Sequence, residues 1–132
     1  MNNIVTFETA KRLKEAGFPQ PEPATGQHWY RQSGGIAYID FVDSDGEVFA
    51  LLNGEVKGCQ NFESAIFAPS ATDILREMQK RTRKWFSWIL TPPYKTATTW
   101  RCYGFEKEEG ADFYVEHENP AEACAPSWPL AL

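Results

Sequence analysis

The stretch IAYIDFVDSDGEVFALL, residues 36–52, decides the fold of this chain. It places two apolar runs, residues 36–42 and 47–52, on either side of the turn sequence DSDG at 43–46. An Asp-Gly pair supplies the positive φ that tight or bulged hairpin loops require, so the stretch predicts an antiparallel β-hairpin. The turn also begins like a calcium loop, but the glutamate expected at the twelfth loop position is missing. We therefore predict a plain turn and no metal site.

Strand signals continue on both sides of this hairpin. Short apolar runs extend from Trp29 to about Phe67 and are separated by glycine-containing turns. Further β-rich runs stand at residues 84–90, 96–105 and 113–115. The chain lacks the regular alternation of strand and helix that builds a parallel sheet, so antiparallel pairing is expected.

Helix boundaries are marked in three places. Thr6 can cap a first helix, which Gly17 ends by adopting the left-handed conformation. Ser70 and Asp73 have the spacing of a capping box at the start of a second helix. Asn119 can cap a short third helix, after which the apolar tail is expected to pack on the sheet or on another chain.

Length and composition are those of one small domain. The chain has 132 residues, of which 42% are hydrophobic and 23% charged. A chain of this size buries roughly two-thirds of the surface that it exposes when unfolded. The element order then predicts an α+β fold in a single domain, residues 1–132, with one antiparallel sheet of about five to six strands, two main helices and a short C-terminal helix.

The N-terminus and the cysteines indicate the compartment. Residues 1–5 have neither a basic n-region nor an apolar h-region, so we expect no secretory peptide and a cytoplasmic protein. No apolar run approaches the ~20 residues of a membrane helix. Cys59, Cys102 and Cys124 lie far apart, which predicts reduced thiols without a disulfide framework or a zinc site. No cofactor is expected.

The charges of the chain are segregated. Residues 76–101 are basic and interleaved with aromatic rings, whereas residues 106–122 are acidic. In one interpretation, the cations of the basic block stabilise a helix end and its tryptophans fill the core. In the other, the block forms an anion site on which a nucleobase can stack. The residues of this candidate ligand-binding site are Arg76, Lys80, Arg83, Lys84, Trp85, Trp88, Arg101 and Tyr103.

We predict that the protein is not an enzyme. A nucleophile needs a base within hydrogen-bond reach, and the histidines are His28, beside a proline-rich segment, and His117, in an acidic stretch. Serine-hydrolase, zinc-protease and phosphate-loop motifs are missing from the sequence. We therefore assign no catalytic residue.

Three segments of the chain resemble a known family. TFETAKRLKEAGF at 6–18, FAPSATDILRE at 67–77 and ENPAEAC at 118–124 are similar to segments of small uncharacterised proteins from bacterial phages and mobile elements. Family members usually continue the last helix further, whereas Pro126 and Pro129 interrupt it here. The family carries no assigned catalytic residues, so the resemblance implies a small accessory protein of mobile-element origin.

Two functions of different class follow from these patterns. In the first, a non-catalytic phage or mobile-element accessory protein binds a host protein, such as a defence or regulatory factor, through an aromatic surface or the apolar tail. In the second, a homo-oligomer sequesters a small anionic ligand such as a nucleotide signal. Duplex nucleic acid is not an expected partner, because a net charge of −5 repels a polyanion. A membrane partner is not expected either.

Overall fold

A computed structural model of the chain describes residues 3–32, 35–52, 54–59, 64–81, 87–105 and 113–131. These residues form helices and two antiparallel sheets, so the predicted α+β class is confirmed. The elements in chain order are α1 (Phe7–Glu15), β1 (His28–Tyr30), β2 (Ile36–Val42), β3 (Val48–Leu52), β4 (Glu55–Cys59), β5 (Ile66–Phe67), α2 (Ala71–Arg81), β6 (Ser87–Thr91), β7 (Trp100–Phe105), β8 (Phe113–His117), α3 (Pro120–Cys124) and a 3₁₀ helix (Ala125–Ala131).

The chain divides into two compact units, one made of residues 10–68 and the other of residues 1–9 and 69–132. The first unit contains a five-stranded sheet in the order β4-β3-β2-β1-β5, and the second a three-stranded sheet in the order β6-β7-β8. The sequence predicted an antiparallel sheet of about five to six strands; the structure has a five-stranded sheet and a separate three-stranded one. Local patterns of apolar and turn residues indicate where strands occur. Which strands pair into one sheet depends on segments that are distant in the sequence.

The predicted hairpin is present as β2 and β3. The carboxylate oxygen Oδ1 of Asp43 accepts hydrogen bonds from the backbone N–H groups of Asp45 and Glu47, each 2.9 Å long. Gly46 adopts a φ of 83°, as the Asp-Gly signal predicted. The register shifts between Ile39 and Phe41, which marks a β-bulge in β2. The turn chemistry alone therefore accounts for the loop.

One face of the five-stranded sheet supplies the core of the first unit. Side chains alternate between the two faces of a strand, and the buried set occupies every second position. Its fully or almost fully buried members are Trp29, Ala37, Ile39, Val48, Ala50 and Phe67. The rings of Trp29 and Phe67 contact each other across β1 and β5, with 5.4 Å between their centroids. The alternate positions, such as Tyr38 on β2 and Leu51 on β3, point to the opposite face.

The ends of α1 follow the predicted capping. The backbone N–H of Thr9 donates to Oγ1 of Thr6 at 3.3 Å. At the other end Gly17 has a φ of 86°, and the N–H of Phe18 donates to the carbonyl of Leu13 at 2.8 Å. This is the hydrogen bond of a glycine-ended helix, in which the two flanking apolar side chains also meet. Leu13 and Phe18 are both buried.

The capping box at the start of α2 is confirmed. Oδ2 of Asp73 accepts from the Ser70 backbone N–H at 2.9 Å, and Oγ of Ser70 accepts from the Asp73 N–H at 3.2 Å. Ala71, Ile74 and Met78 form the buried stripe of this helix.

Replacing Asp73 by alanine is expected to lower the free energy of unfolding by about 1 kcal/mol, because the Ser70 N–H loses its acceptor. Urea unfolding followed by circular dichroism measures the change. Thr72→Ala is the matched control, since Thr72 is the exposed neighbour. Equal losses in the two variants would contradict the role of the capping box.

The helices of the second unit pack on one face of the three-stranded sheet. Asn119 caps α3 as predicted, with Oδ1 accepting from the Ala121 N–H at 2.9 Å. Helix α3 contacts β7, β8 and α2, and the 3₁₀ helix contacts α2. The apolar tail packs within its own unit, because Trp128 is fully buried there. Ala125, Ser127 and Trp128 of the tail are therefore part of the core rather than of an exposed binding segment.

Candidate functional site

The structure describes five of the eight residues of the predicted anion site. Arg76 and Lys80 are exposed on α2, and Nζ of Lys80 lies 3.3 Å from Oε1 of Glu77. This ion pair at a spacing of three residues is typical of a solvated helix surface. The other three residues, Arg83, Lys84 and Trp85, lie outside the described residues.

Trp88 belongs to the core of the second unit. Its side chain is only 7% exposed and lies edge-on to Phe113, with 5.6 Å between the ring centroids. Its ring also covers Gly104, its cross-strand partner. A ring in this position is not available for stacking a ligand at the surface.

Arg101 and Tyr103 point to the opposite face of the same sheet. We call this surface the tyrosine face; its members are Ile89, Arg101, Tyr103, Tyr114 and Glu116. Ile89, Tyr103 and Tyr114 form one row across the three strands. Arg101 and Glu116 are cross-strand partners in the neighbouring row of the same face. The tyrosine rings lie 5.0 Å apart between centroids. Of the five described candidate residues, Arg101 and Tyr103 therefore share this patch, Arg76 and Lys80 are neighbours four residues apart on α2, and Trp88 is buried.

The charge of Arg101 is already matched within the tyrosine face. Its Nε lies 4.0 Å from Oε2 of Glu116, and the hydroxyl of Tyr114 donates to the same oxygen at 3.0 Å. The hydrogen bond with Tyr103 raises the pKa of Arg101, and the hydrogen bond to Glu116 raises the pKa of Tyr114. An anionic ligand that approaches the guanidinium of Arg101 also comes close to the carboxylate of Glu116. Repulsion between the two negative charges disfavours binding there.

A larger patch lies on the five-stranded sheet, on the face opposite the buried set. We call it the apolar face; its members are His28, Tyr30, Ile36, Tyr38, Phe41, Phe49, Leu51, Val56 and Ile66. Four of these side chains are strongly exposed: Tyr38 at 39%, Phe41 at 44%, Leu51 at 42% and Val56 at 49%. The others are partly buried. Isolated exposed apolar residues are common on proteins, but contiguous ones mark interaction surfaces.

Strand register makes the apolar face continuous. His28, Tyr38, Leu51 and Val56 are successive cross-strand partners and form one row across four strands, which we call the central row. The rings of His28 and Tyr38 meet edge-on at 5.0 Å between centroids. Partial burial lowers the pKa of His28, which favours the neutral ring. The central row is therefore uncharged near neutral pH.

A second row lies towards the hairpin turn. Phe41 and Phe49 are cross-strand partners whose rings stack at 4.5 Å between centroids with 11° between their planes. The bulge before Phe41 sets this geometry, because the extra residue restores Phe41 to the face that holds Tyr38. Without the bulge, alternation would place Phe41 on the buried face.

Sequence reasoning missed the apolar face. By simple alternation, residues 36–42 place Ile36 and Tyr38 on one face of β2 and Ala37, Ile39 and Phe41 on the other, so both faces are apolar. Such a run predicts a strand that is buried on both sides as readily as one with an exposed apolar face. Tyr38 was the one aromatic residue of β2 that alternation could have placed outward, because the face of Phe41 depends on the bulge.

The described residues offer little for catalysis. Nδ1 of His117 accepts from the Asn119 N–H at 2.9 Å, so this histidine shapes the approach to α3. Oε1 of Glu122 accepts from the hydroxyl of Thr9 at 2.7 Å, whereas Oε2 is buried without a hydrogen-bond partner among the described residues. Cys102 and Cys124 are buried, and their mutual hydrogen bond together with burial raises the pKa of Cys124. Cys124, a buried thiol held protonated, is therefore a poor nucleophile, whereas the same hydrogen bond lowers the pKa of Cys102.

Within the described residues, no group of three or more His, Cys, Asp and Glu side chains could hold a metal ion. In the same part of the chain, the helices are too short and too polar to span a bilayer.

Comparisons with protein-family models, curated proteins and solved structures found no match to this chain. The resemblance to phage and mobile-element proteins therefore stays a prediction, and the geometry of the described surfaces carries the functional argument.

Proposed function

We propose that this protein is a non-catalytic binding domain that recognises another protein through its apolar face. One observation carries the proposal: the central row and the stacked Phe41–Phe49 pair form a continuous apolar surface across four strands. The resemblance found in the sequence favours a host defence or regulatory protein as the partner.

The size of the apolar face supports this role. Its four exposed side chains offer on the order of 350 Å² of surface, because a free side chain of this size exposes roughly 200 Å². The partly buried members add to this area, so the patch is within the range of about 300–600 Å² of the largest patch on a typical monomer, which is often functional. Keeping such a surface in water is unfavourable by roughly 25 cal/mol per Å², so covering it stabilises a complex.

The alternative function, sequestering a small anionic ligand, has narrower support. It rests on Arg101 and Tyr103, which share the tyrosine face, and on the predicted contribution of the undescribed Arg83 and Lys84. The carboxylate of Glu116 lies within 4.0 Å of Arg101 and opposes an anion there. Protein binding is therefore the preferred function.

A pair of matched substitutions tests the preferred function. Leu51 on the apolar face and Ile89 on the tyrosine face are each 42% exposed and stand mid-strand on an outward position. Leu51→Glu is expected to reduce capture of binding proteins from a host lysate by more than about tenfold, because a carboxylate resists desolvation. Ile89→Glu is expected to leave capture unchanged.

Quantitative mass spectrometry of the proteins retained by the immobilised 132-residue chain provides the readout. Thermal unfolding of each variant confirms that both are folded before capture is compared. Equal retention by wild type and Leu51→Glu would refute the apolar face as the binding surface. A loss confined to Ile89→Glu would transfer the function to the tyrosine face.

A further inference from the structure

We propose that Cys102 and Cys124 form an oxidant-sensitive dithiol, which a disulfide oxidant such as oxidised glutathione converts into a disulfide bond between β7 and α3. Both thiols are free in the structure. The proposal concerns the second unit of the chain and is independent of the apolar face and its partner. Three features of the described residues support it: the facing positions of the two thiols, the close packing of α3 on the sheet, and the short helices that cover the pair.

The two cysteines face each other where α3 packs on the three-stranded sheet. Cys102 lies on the central strand β7, between Leu90 of β6 and Val115 of β8, and is fully buried on the face that the helices cover. Cys124 is the last residue of α3, which contacts β7, and it is also fully buried. The two thiols meet there in a hydrogen bond. Segments that are distant in the sequence thus bring two reduced cysteines into direct contact.

Local packing holds Cys124 in this position. Ala121 and Ala123 of α3 are fully buried, and their small side chains let the helix lie close to its neighbours. At the end of α3, the buried hydroxyl of Ser127 donates to the Cys124 carbonyl at 2.6 Å. This hydrogen bond satisfies one of the carbonyls that the end of a helix leaves without a partner. The backbone that carries the Cys124 thiol is therefore fixed.

A disulfide bond fits this arrangement. Two cysteines whose side chains point apart cannot be bridged without backbone movement, whereas the thiols of Cys102 and Cys124 already touch. Their sulfur atoms need only a small movement to reach the S–S bond length of about 2.05 Å. The bond would tie the end of α3 to the central strand of the sheet.

The reaction is a thiol–disulfide exchange in two steps. One of the two cysteines loses its proton and attacks a sulfur of oxidised glutathione, which forms a mixed disulfide and releases one glutathione thiolate. The other cysteine then loses its proton and attacks the protein sulfur of the mixed disulfide, which releases the second glutathione thiolate. Each thiolate that leaves takes up one proton. The protein is thereby oxidised by the loss of two hydrogen atoms, and oxidised glutathione is reduced to two molecules of glutathione.

Opening of residues 120–131 gives the oxidant access to the pair. Burial opposes formation of the thiolate, so the covered pair is unreactive. The covering segment consists of α3 and the 3₁₀ helix, and neither belongs to a sheet. It can therefore detach while the ladders of the sheet stay intact. The fully buried Trp128 holds the segment closed, so the rate of oxidation follows the fraction of molecules in which the segment is open.

Mass spectrometry of the 132-residue chain treated with oxidised glutathione tests the bond. The chain is denatured in an alkylating reagent, weighed intact and digested with trypsin. Cleavage after Arg101 and Lys107 places Cys102 in peptide 102–107 and Cys124 in peptide 108–132. We expect these peptides to be joined, in a chain of monomer mass. Recovery of both cysteines in alkylated form alone would refute the proposal and leave the thiols as packing groups of the core.

Cysteine variants assign the bond and measure its effect on stability. Cys59→Ser is expected still to lose two hydrogen atoms, whereas Cys59→Ser combined with Cys102→Ser is expected not to. In the Cys59→Ser variant, the oxidised form is expected to melt roughly 5–10 °C above the reduced form, because the bond closes a loop of the unfolded chain. A melting temperature that stays equal or falls on oxidation would contradict the fit of the bond to the folded structure.

The rate of oxidation tests the route by which the oxidant enters. In the Cys59→Ser background, Trp128→Ala is expected to speed formation of the disulfide by more than about tenfold, because it loosens residues 120–131. Ile39→Ala is the matched control: it removes a fully buried side chain from the first unit and leaves the covering segment intact. We expect a smaller acceleration in this variant. Equal acceleration in both variants would overturn local opening as the route to the pair.

Discussion

Replacing Trp128 by alanine is expected to lower the free energy of unfolding by about 3–5 kcal/mol, the largest loss that we predict for a single substitution. Trp128 is the largest fully buried side chain among the described residues and lies in the 3₁₀ helix that packs on α2. The guanidinium carbon of Arg81 lies 5.3 Å from its ring centroid. Alanine would remove the ring from the core and leave a cavity that helices on either side cannot fully close.

Urea unfolding followed by far-ultraviolet circular dichroism measures this loss without depending on tryptophan fluorescence. Tyr94→Ala is the control, because Tyr94 is 71% exposed and its removal is expected to change stability by less than about 0.5 kcal/mol. Trp128→Phe is expected to recover part of the stability by refilling the cavity. A loss below about 1 kcal/mol in Trp128→Ala would contradict a core role for the C-terminal segment.

Gly104→Ala is expected to lower the free energy of unfolding by about 1–3 kcal/mol, although alanine usually stabilises ordered structure relative to glycine. A Cβ at this position would lie 2.5 Å from Cζ3 of Trp88 and 2.9 Å from two further atoms of the same ring. Trp88 is buried and also contacts Phe113, so the ring has little room to move. The absence of a side chain at Gly104 therefore serves the packing of Trp88.

Gly58→Ala is the matched control on the other sheet. A Cβ there would lie 2.7 Å from Oε1 of Glu47, but this atom ends a flexible side chain that can rotate away. We expect a change of less than about 0.5 kcal/mol for this variant. Urea unfolding measures the stability of Gly104→Ala, of Gly58→Ala and of the double variant that combines Gly104→Ala with Trp88→Phe. The double variant should lose less than the sum of the single losses if the ring is the cause.

Much of the fold could be predicted because its signals are local. The Asp-Gly turn between β2 and β3, the glycine end of α1, and the Ser70–Asp73 capping box each involve residues within a few positions of one another. Each of their hydrogen bonds joins residues only a few positions apart, so the local sequence alone specifies them. The three helices were predicted on this basis, and each is present.

The candidate site could not be predicted in the same way. Trp88, Arg101 and Tyr103 lie within sixteen residues of one another in the sequence, which suggested one surface. Strand alternation instead places Trp88 on the helix-covered face of β6–β8 and the other two on the tyrosine face. Proximity in sequence therefore says little about which side of a sheet a residue occupies.

The sequence by itself determined the α+β class, the positions of the helices and the hairpin, because these depend on capping, turn chemistry and periodicity over a few residues. Only the tertiary structure decided that the strands form two sheets and which apolar side chains are buried. In β2, Ile39 is fully buried and Tyr38 exposed although both are apolar, because burial depends on which face other segments cover. The bulge before Phe41 places this side chain on the apolar face. The position of the bulge is set by the pairing of β2 with β3, so it was decided by the tertiary structure.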